Sequence, residues 1–201
     1  SVLIQAGLTP ALVDLDAFAL QNCYEISYEV EPDKNIALVN VGAGIMNINV
    51  LRDGMSTFTR DISVGGNQFT EAIQKEMHVS NEDAERLKTG ETLPDVDMDA
   101  VGAIIGQINE TLSVEIQRSF DFFRATSADQ EIDQIILSGG CARITNLDGF
   151  LKERLKMEVE INNPFRNIEI NGKKFDPQYI SENAPLAAVG IGLALRKVGD
   201  R

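Results

Sequence analysis

Between Met98 and Phe123 an apolar side chain recurs every third or fourth residue, at Val101, Ile105, Ile108, Leu112, Ile116 and Phe120. That spacing predicts one long amphipathic helix whose stripe packs against a sheet as core, rather than zipping to a second helix. Residues 36–41, 45–51 and 55–62 have strand character. They are joined by Gly42-Ala43-Gly44 and Arg52-Asp53-Gly54, two short glycine-bearing links that predict an antiparallel meander. After Gly65-Gly66 the period turns helical, with Phe69, Ile73 and Met77 on one face, and a short helix over 81–88 follows with Asn81 as its cap. Further on come a buried strand over 132–137, the tight turn Ser138-Gly139-Gly140, a helix over 144–156 and a strand over 159–161. The turn Asn163-Pro164-Phe165 leads to a surface loop over 167–179 with at most a short hairpin. The last helix runs from Pro185 to about Val198, and its small residues Ala187, Ala188, Gly190, Gly192 and Ala194 permit close backbone contact. At the other end, 2–7 reads as the close of a helix, 11–14 as a short strand, and Asp16 as the cap of a helix reaching about Tyr28 with Phe18, Ala19, Cys23 and Ile26 at helical spacing. Glu31-Pro32-Asp33-Lys34 is the first boundary candidate.

Meander, helices, then strand, helix, strand, helix describes an α/β chain: a mixed sheet with helices on both faces. The 201 residues are 43% hydrophobic, enough for a substantial core. Their 18 Lys and Arg stand against 31 Asp and Glu, a net charge of −13, which excludes a general nucleic-acid binder and a helix lying directly on a lipid surface. Cys23 and Cys141 fit no metal or redox spacing and point to a reducing, cytoplasmic setting. The one histidine, His78, reads as a polar helix-end residue, and no stretch is long and apolar enough for a membrane span.

Ligands of such sheets sit at the loops leaving strand ends, and two of those loops are glycine-rich. Gly42-Ala43-Gly44 has little side-chain bulk, so its N–H groups can approach an anion; taken alone, the tripeptide is more simply a plain hairpin turn. Gly139-Gly140 follows a strand and precedes a helix, where backbone can lie against a planar ligand or a phosphate, and a simple turn explains it too. Glu85 and Lys88, three apart on a helix, offer an acceptor and a cation from one face, or else form a solvated ion pair.

Taken together, Asn40 to Gly44, Ser63-Val64-Gly65-Gly66-Asn67-Gln68-Phe69-Thr70, Ala84 to Lys88 and Ile136-Leu137-Ser138-Gly139-Gly140-Cys141-Ala142 resemble the second half of an actin-like ATPase, with its ribonuclease H-like fold. Within that superfamily the nearest resemblance is to the PilM family of type IV pilus assembly, with the cell-division protein FtsA as a near relative. It is carried by Glu115-Ile116-Gln117-Arg118-Ser119, Phe122-Phe123, Asn163-Pro164-Phe165 and Asn183-Ala184-Pro185 leading into Val189 to Arg196. The resemblance implies that Gly42, Ala43 and Gly44 form the second phosphate hairpin, Gly139 and Gly140 the adenosine turn, and Glu85 with Lys88 the ribose and adenine contacts. It likewise implies that Asn40, Gly65, Gly66 and Ala142 belong to the same nucleotide site. It further implies that 1–34 is a remnant of a first domain, 35–184 a second domain and 185–201 a helix returning to the first. The first phosphate hairpin and a small inserted subdomain would precede Ser1. The expected cofactor is ATP with magnesium in the complete protein, with little held by this piece alone. The expected partners are an inner-membrane pilus protein of the PilN type, through its cytoplasmic N-terminal tail, and other pilus assembly proteins.

Two departures bear on mechanism. Asn40 stands where actin-like ATPases usually carry an aspartate that orders the magnesium shell, and Ile45 and Met46 stand where a hairpin hydroxyl is expected. Losing a charge and a hydroxyl beside a triphosphate weakens hydrolysis more than adenine binding, so a slow or inactive ATPase used as a scaffold is expected. The competing functions are an FtsA-like division scaffold and a small-molecule kinase of the same fold. A kinase needs a carboxylate base near the cleft, and Asp14 and Asp16 are equally explained as strand-end and capping residues.

Overall fold

The computed structural model describes residues 2–10, 12–128 and 130–197. Five strands, β1 (Asn35–Val41), β2 (Met46–Arg52), β3 (Met55–Ile62), β4 (Gln134–Ser138) and β5 (Glu158–Ile161), form one sheet in the order β3-β2-β1-β4-β5. The meander β1-β2-β3 is antiparallel, while β4 runs parallel to β1 and β5 parallel to β4. Strand alternation divides the apolar residues between two cores. Ala37, Val39 and Val41 of β1, Met46, Ile48 and Val50 of β2, and Ile135 and Leu137 of β4 face one core; Ile36, Leu38, Leu51 and Ile136 face the other. Both faces being covered, β1 and β4 read as almost unbroken apolar runs, whereas β2 alternates its apolar residues with the buried Asn47 and Asn49.

The larger core lies under α3 (Gly66–Met77), α4 (Asn81–Lys88), α5 (Met98–Thr126) and α6 (Leu147–Leu155). Val101, Ile105, Leu112, Ile116, Phe120 and Phe123 of α5 are all buried in it, as the stripe predicts for a helix packed in the core. The second core lies under α2 (Asp16–Ser27) and α8 (Ala188–Ala194), which pack on each other. That contact requires glycine: a Cβ at Gly192 would fall 1.7 Å from the Ala19 carbonyl oxygen. The remaining helices are short, α1 (Val2–Gln5) and α7 (Pro177–Asn183). Gly7 follows α1 at φ +76°, and His78 caps α3 in the left-handed region at φ 55°, the helix-end role read for it. Among the described residues no helix is long and apolar enough to cross a membrane.

Several expectations are corrected. Residues 12–14 form no strand, Val13 being 90% exposed with no neighbouring strand to pair with; Ala11 lies outside the described residues. Asp16 is the first helical residue, after Leu15, and the buried face of α2 is Ala19, Leu20, Cys23, Tyr24 and Ser27, with Phe18 exposed. The cap of α4 is Ser80, whose Oγ accepts from the Asp83 N–H. The helix expected over 144–156 spans only Leu147–Leu155, because Asn146 takes a left-handed backbone at φ 58° before it; a 3-10 turn, Gly140–Arg143, comes earlier. The loop after Pro164 holds no hairpin and closes in α7, started by Asp176 and Pro177. The last helix is preceded by a 3-10 turn, Ala184–Ala187, and ends at Ala194; Val198 lies outside the described residues.

Candidate functional site

Because β1 and β4 are parallel neighbours, with Asn40 paired to Ser138, the loops leaving their carboxyl ends are side by side. One is the hairpin Gly42-Ala43-Gly44 and the other is Gly139-Gly140. Gly139 takes φ +90°, a conformation costly for any residue with a Cβ, and such a Cβ would fall 2.4 Å from the Val41 carbonyl oxygen and 2.9 Å from Asn40 Oδ1. Its N–H donates to the Pro185 carbonyl at 2.9 Å, which ties the turn to the segment leading into α8.

The start of α3 closes over the hairpin. The N–H groups of Gly66 and Asn67 donate to the carbonyls of Gly42 and Ala43 at 2.9 and 2.8 Å, and a Cβ on Gly65 would meet both carbonyl oxygens at 2.6 Å. Within the hairpin Gly42 N–H donates to the Ile45 carbonyl. Among the described residues the exposed Ala43 and Gly44 N–H groups make no hydrogen bond within the chain, so both remain free to donate outward.

Glu85 and Lys88 of α4 do share a face, yet they do not form the solvated pair that spacing alone suggests. Lys88 is 7% exposed, and its Nζ donates to Glu85 Oε1 at 2.6 Å, Thr70 Oγ1 at 2.9 Å and the Gly66 carbonyl at 3.4 Å. Thr70 also donates to Glu85. Burial pushes the Glu85 pKa up, but the hydrogen bonds from Lys88 and Thr70 outweigh it and hold the carboxyl below its ordinary value. Cys141, in the turn after Gly140, lies against the same group, its Sγ 3.6 Å from the Gly42 carbonyl. Burial pushes its thiol up to about 11, with Lys88 opposing and Glu85 adding to the shift. Ala142 is buried beside it and also lines a cleft of about 610 Å³ with Thr89, Arg143, Glu182 and Pro185.

Across the strand ends, side chains form a row. Asn40 Nδ2 donates to Asn47 Oδ1 at 3.1 Å, and Asn47 Nδ2 donates to Asp61 Oδ1 at 2.8 Å, along matched positions of β1, β2 and β3. Asn47 and Asp61 line a second cleft, of about 390 Å³, with Asp14 and Asp16. Asp14 is buried against Arg196, with Nε to Oδ2 at 3.1 Å.

The fold thus gathers Asn40, Gly42, Ala43, Gly44, Gly65, Gly66, Glu85, Lys88, Gly139, Gly140 and Ala142 into one neighbourhood at the carboxyl edge of β1 and β4. Sequence reasoning missed Asn47, Asp61, Thr70 and Arg143. Asn47 was accessible from the meander, since a tight hairpin sets it opposite Asn40, and Thr70 lies one turn after Gly66 on α3. Arg143 gave no signal before the 3-10 turn placed it on the cleft.

Residues 1–198 match the family model described as type IV pilus assembly protein PilM. The chain is similar to a solved PilM-PilN type IV pilus biogenesis complex, at 28% identity and a TM-score of 0.85, over 98% of this chain and 56% of that one. It is similar in fold to MreB5 of Spiroplasma citri bound to AMPPNP, at 15% identity and a TM-score of 0.61, over 90% of this chain and 63% of that one. The cell division protein FtsA of Bacillus subtilis (strain 168) is 38% identical over 58 residues, 29% of this chain and 13% of that protein. The chain therefore spans just over half the length of the PilM chain it matches.

Proposed function

The chain belongs to the type IV pilus assembly protein PilM family, with an actin-like fold, and on that premise we propose that it contributes half of an ATP site in a cytoplasmic scaffold for pilus assembly. The observation that supports this reading most is the convergence of the two glycine loops and the Glu85–Lys88 pair at one strand edge, with the Ala43 and Gly44 N–H groups directed to no partner among the described residues. Those two N–H groups would hold phosphate oxygens. Gly139 and Gly140 would let a planar base lie on backbone, and Lys88, although paired with Glu85, would place a cation beside the site. A solved relative of the same fold holds AMPPNP.

Bound ATP with magnesium would supply a charge switch between two halves rather than a reaction centre. Asn40 brings no charge, its amide is engaged by Asn47, and Ile45 and Met46 offer no hydroxyl. Hydrolysis is therefore slow or absent. Phosphate release by the complete protein tests this, and turnover near ~1 s⁻¹ or faster, the low end for ordinary phosphoryl-transfer enzymes, overturns it.

The scaffold's partner in this reading is an inner-membrane pilus protein of the PilN type, held by its cytoplasmic N-terminal tail, which would keep the protein peripheral at the inner membrane. Support comes from the relative solved as a PilM-PilN complex. Capture of the complete protein on a PilN N-terminal peptide is the expected result, and no binding with or without ATP contradicts it. An FtsA-like division role, suggested by the 58-residue match, predicts that same absence of PilN binding.

A further inference from the structure

Away from the nucleotide neighbourhood, a groove of about 400 Å³ runs beside the first half of α5. Its apolar floor is Leu87, Met98, Val101, Ile105 and Phe150, and α5 presents Gly102 and Gly106 to it. Glycine inside a helix is unfavourable relative to alanine, and here nothing in the chain asks for it: a Cβ at Gly102 or Gly106 would meet no atom within 4 Å. Small residues at this spacing allow a second backbone to approach the helix closely.

One turn further, Asn109 lines the same groove. It is 4% exposed, and its Oδ1 has no hydrogen-bond partner among the described residues. A buried amide oxygen left without a donor is costly, so the groove's wall holds an unmet polar group. From Gly102 to Asn109 the face extends about 10 Å, two helical turns.

The charge of the segment that leads into the groove says what enters. Residues 89–117 hold six carboxylates, Glu91, Asp95, Asp97, Asp99, Glu110 and Glu115, and no lysine or arginine. Glu91, Glu110 and Glu115 pair with arginines from outside that stretch, whereas Asp95, Asp97 and Asp99 pair with no lysine or arginine among the described residues. These three sit exposed between Gly90 and Val101, both of which line the groove. A second copy of this chain would bring another −13 to this acidic segment, which disfavours self-association there.

We propose that this groove is a docking site for a basic amphipathic helix of a partner protein. Its apolar residues would seat between Met98 and Phe150, its backbone would cross α5 at Gly102 and Gly106, and its lysines or arginines would face Asp95, Asp97 and Asp99.

The test uses the complete protein and a labelled peptide of about 14 residues, four helical turns, with leucine on one face and lysine elsewhere. Its counterpart with glutamate for lysine and a scrambled leucine-lysine peptide of equal composition serve as comparisons, read by fluorescence anisotropy. The leucine-lysine helix is expected to bind at least about tenfold tighter than either comparison, and Gly106→Leu to weaken it by at least about tenfold. The Gly102→Ala/Gly106→Ala double variant is expected to melt higher, by about 2–4 °C for each substitution, while binding the helix more weakly, a combination that a purely structural role does not produce. Equal binding of the scrambled peptide, binding unchanged by Gly106→Leu, or no binding of the helix each overturns the proposal. So does sedimentation as a dimer that Gly106→Leu abolishes, which would make the groove a contact between copies.

Discussion

At the scale of single residues, the site depends on positions where one atom more is too many. Gly139→Ala places a Cβ against the Val41 carbonyl in a positive-φ backbone, and a loss of about 2 kcal/mol or more in chemical denaturation is expected, together with loss of nucleotide binding. Glu85→Gln removes the charged acceptor of a buried lysine. Because Glu85 is half-exposed and Thr70 and Gly66 still receive the Lys88 protons, the loss is modest, about 1–2 kcal/mol. Its pH dependence has a defined sign. The folded carboxyl titrates below its ordinary 4.5, so the unfolded state binds more protons in that window. The stability difference between wild type and Glu85→Gln is therefore fully present above pH 4.5 and declines as the pH falls through the folded value. Cys23 and Cys141, each pushed up to about 11 mainly by burial, remain thiols at neutral pH, and neither is expected to react with iodoacetamide until the protein unfolds. Their contribution runs the other way: a raised folded value stabilises below the ordinary 9.0 and is lost as the pH climbs toward 11.

At the scale of elements, the apolar patterns were legible where a period ran long or a turn was tight. The α5 stripe and the β1-β2-β3 meander with its two glycine links appear at their expected places, while the strand expected over 132–137 is found at Gln134–Ser138, taking in the first residue of the expected turn. The failures cluster where local chemistry competes with tertiary context. Asn81 and Asp16 are good caps by residue type, but Ser80 and Leu15 occupy the capping positions, because the helix start is set by where the chain leaves the previous element. Val13 had strand character without a strand to join. Lys88 looked like a surface cation on its own helix, and only the approach of α3, bringing Thr70 and Gly66 over it, buries the charge. The α2–α8 contact was readable in kind from the small residues of the last helix, yet its tightness was not. Gly192→Ala is expected to separate the two helices and lower stability by about 1–3 kcal/mol, with the amides of both helices exchanging faster than those of α5.

At the scale of the whole molecule, the sheet explains why distant residues meet. Asn40 and Ser138 are 98 positions apart and lie side by side because β1 and β4 are parallel, so the candidate site is a property of topology as much as of motif. The chain spans 56% of the length of the PilM chain it matches, and in the proposed reading it supplies only part of the phosphate grip. The piece alone is accordingly expected to bind MgATP much more weakly than the complete protein, with Lys88 and the free N–H groups of Ala43 and Gly44 too few to offset a net charge of −13. The central claim, an ATP-holding scaffold with little turnover, is tested most directly by titrating MgATP into the complete protein in a calorimeter, beside its Lys88→Met variant. Saturable one-site binding that the variant loses by at least about tenfold, with no continuing heat after each injection, is the predicted result. No saturable heat, or a sustained signal corresponding to turnover of ~1 s⁻¹ or faster, would contradict it.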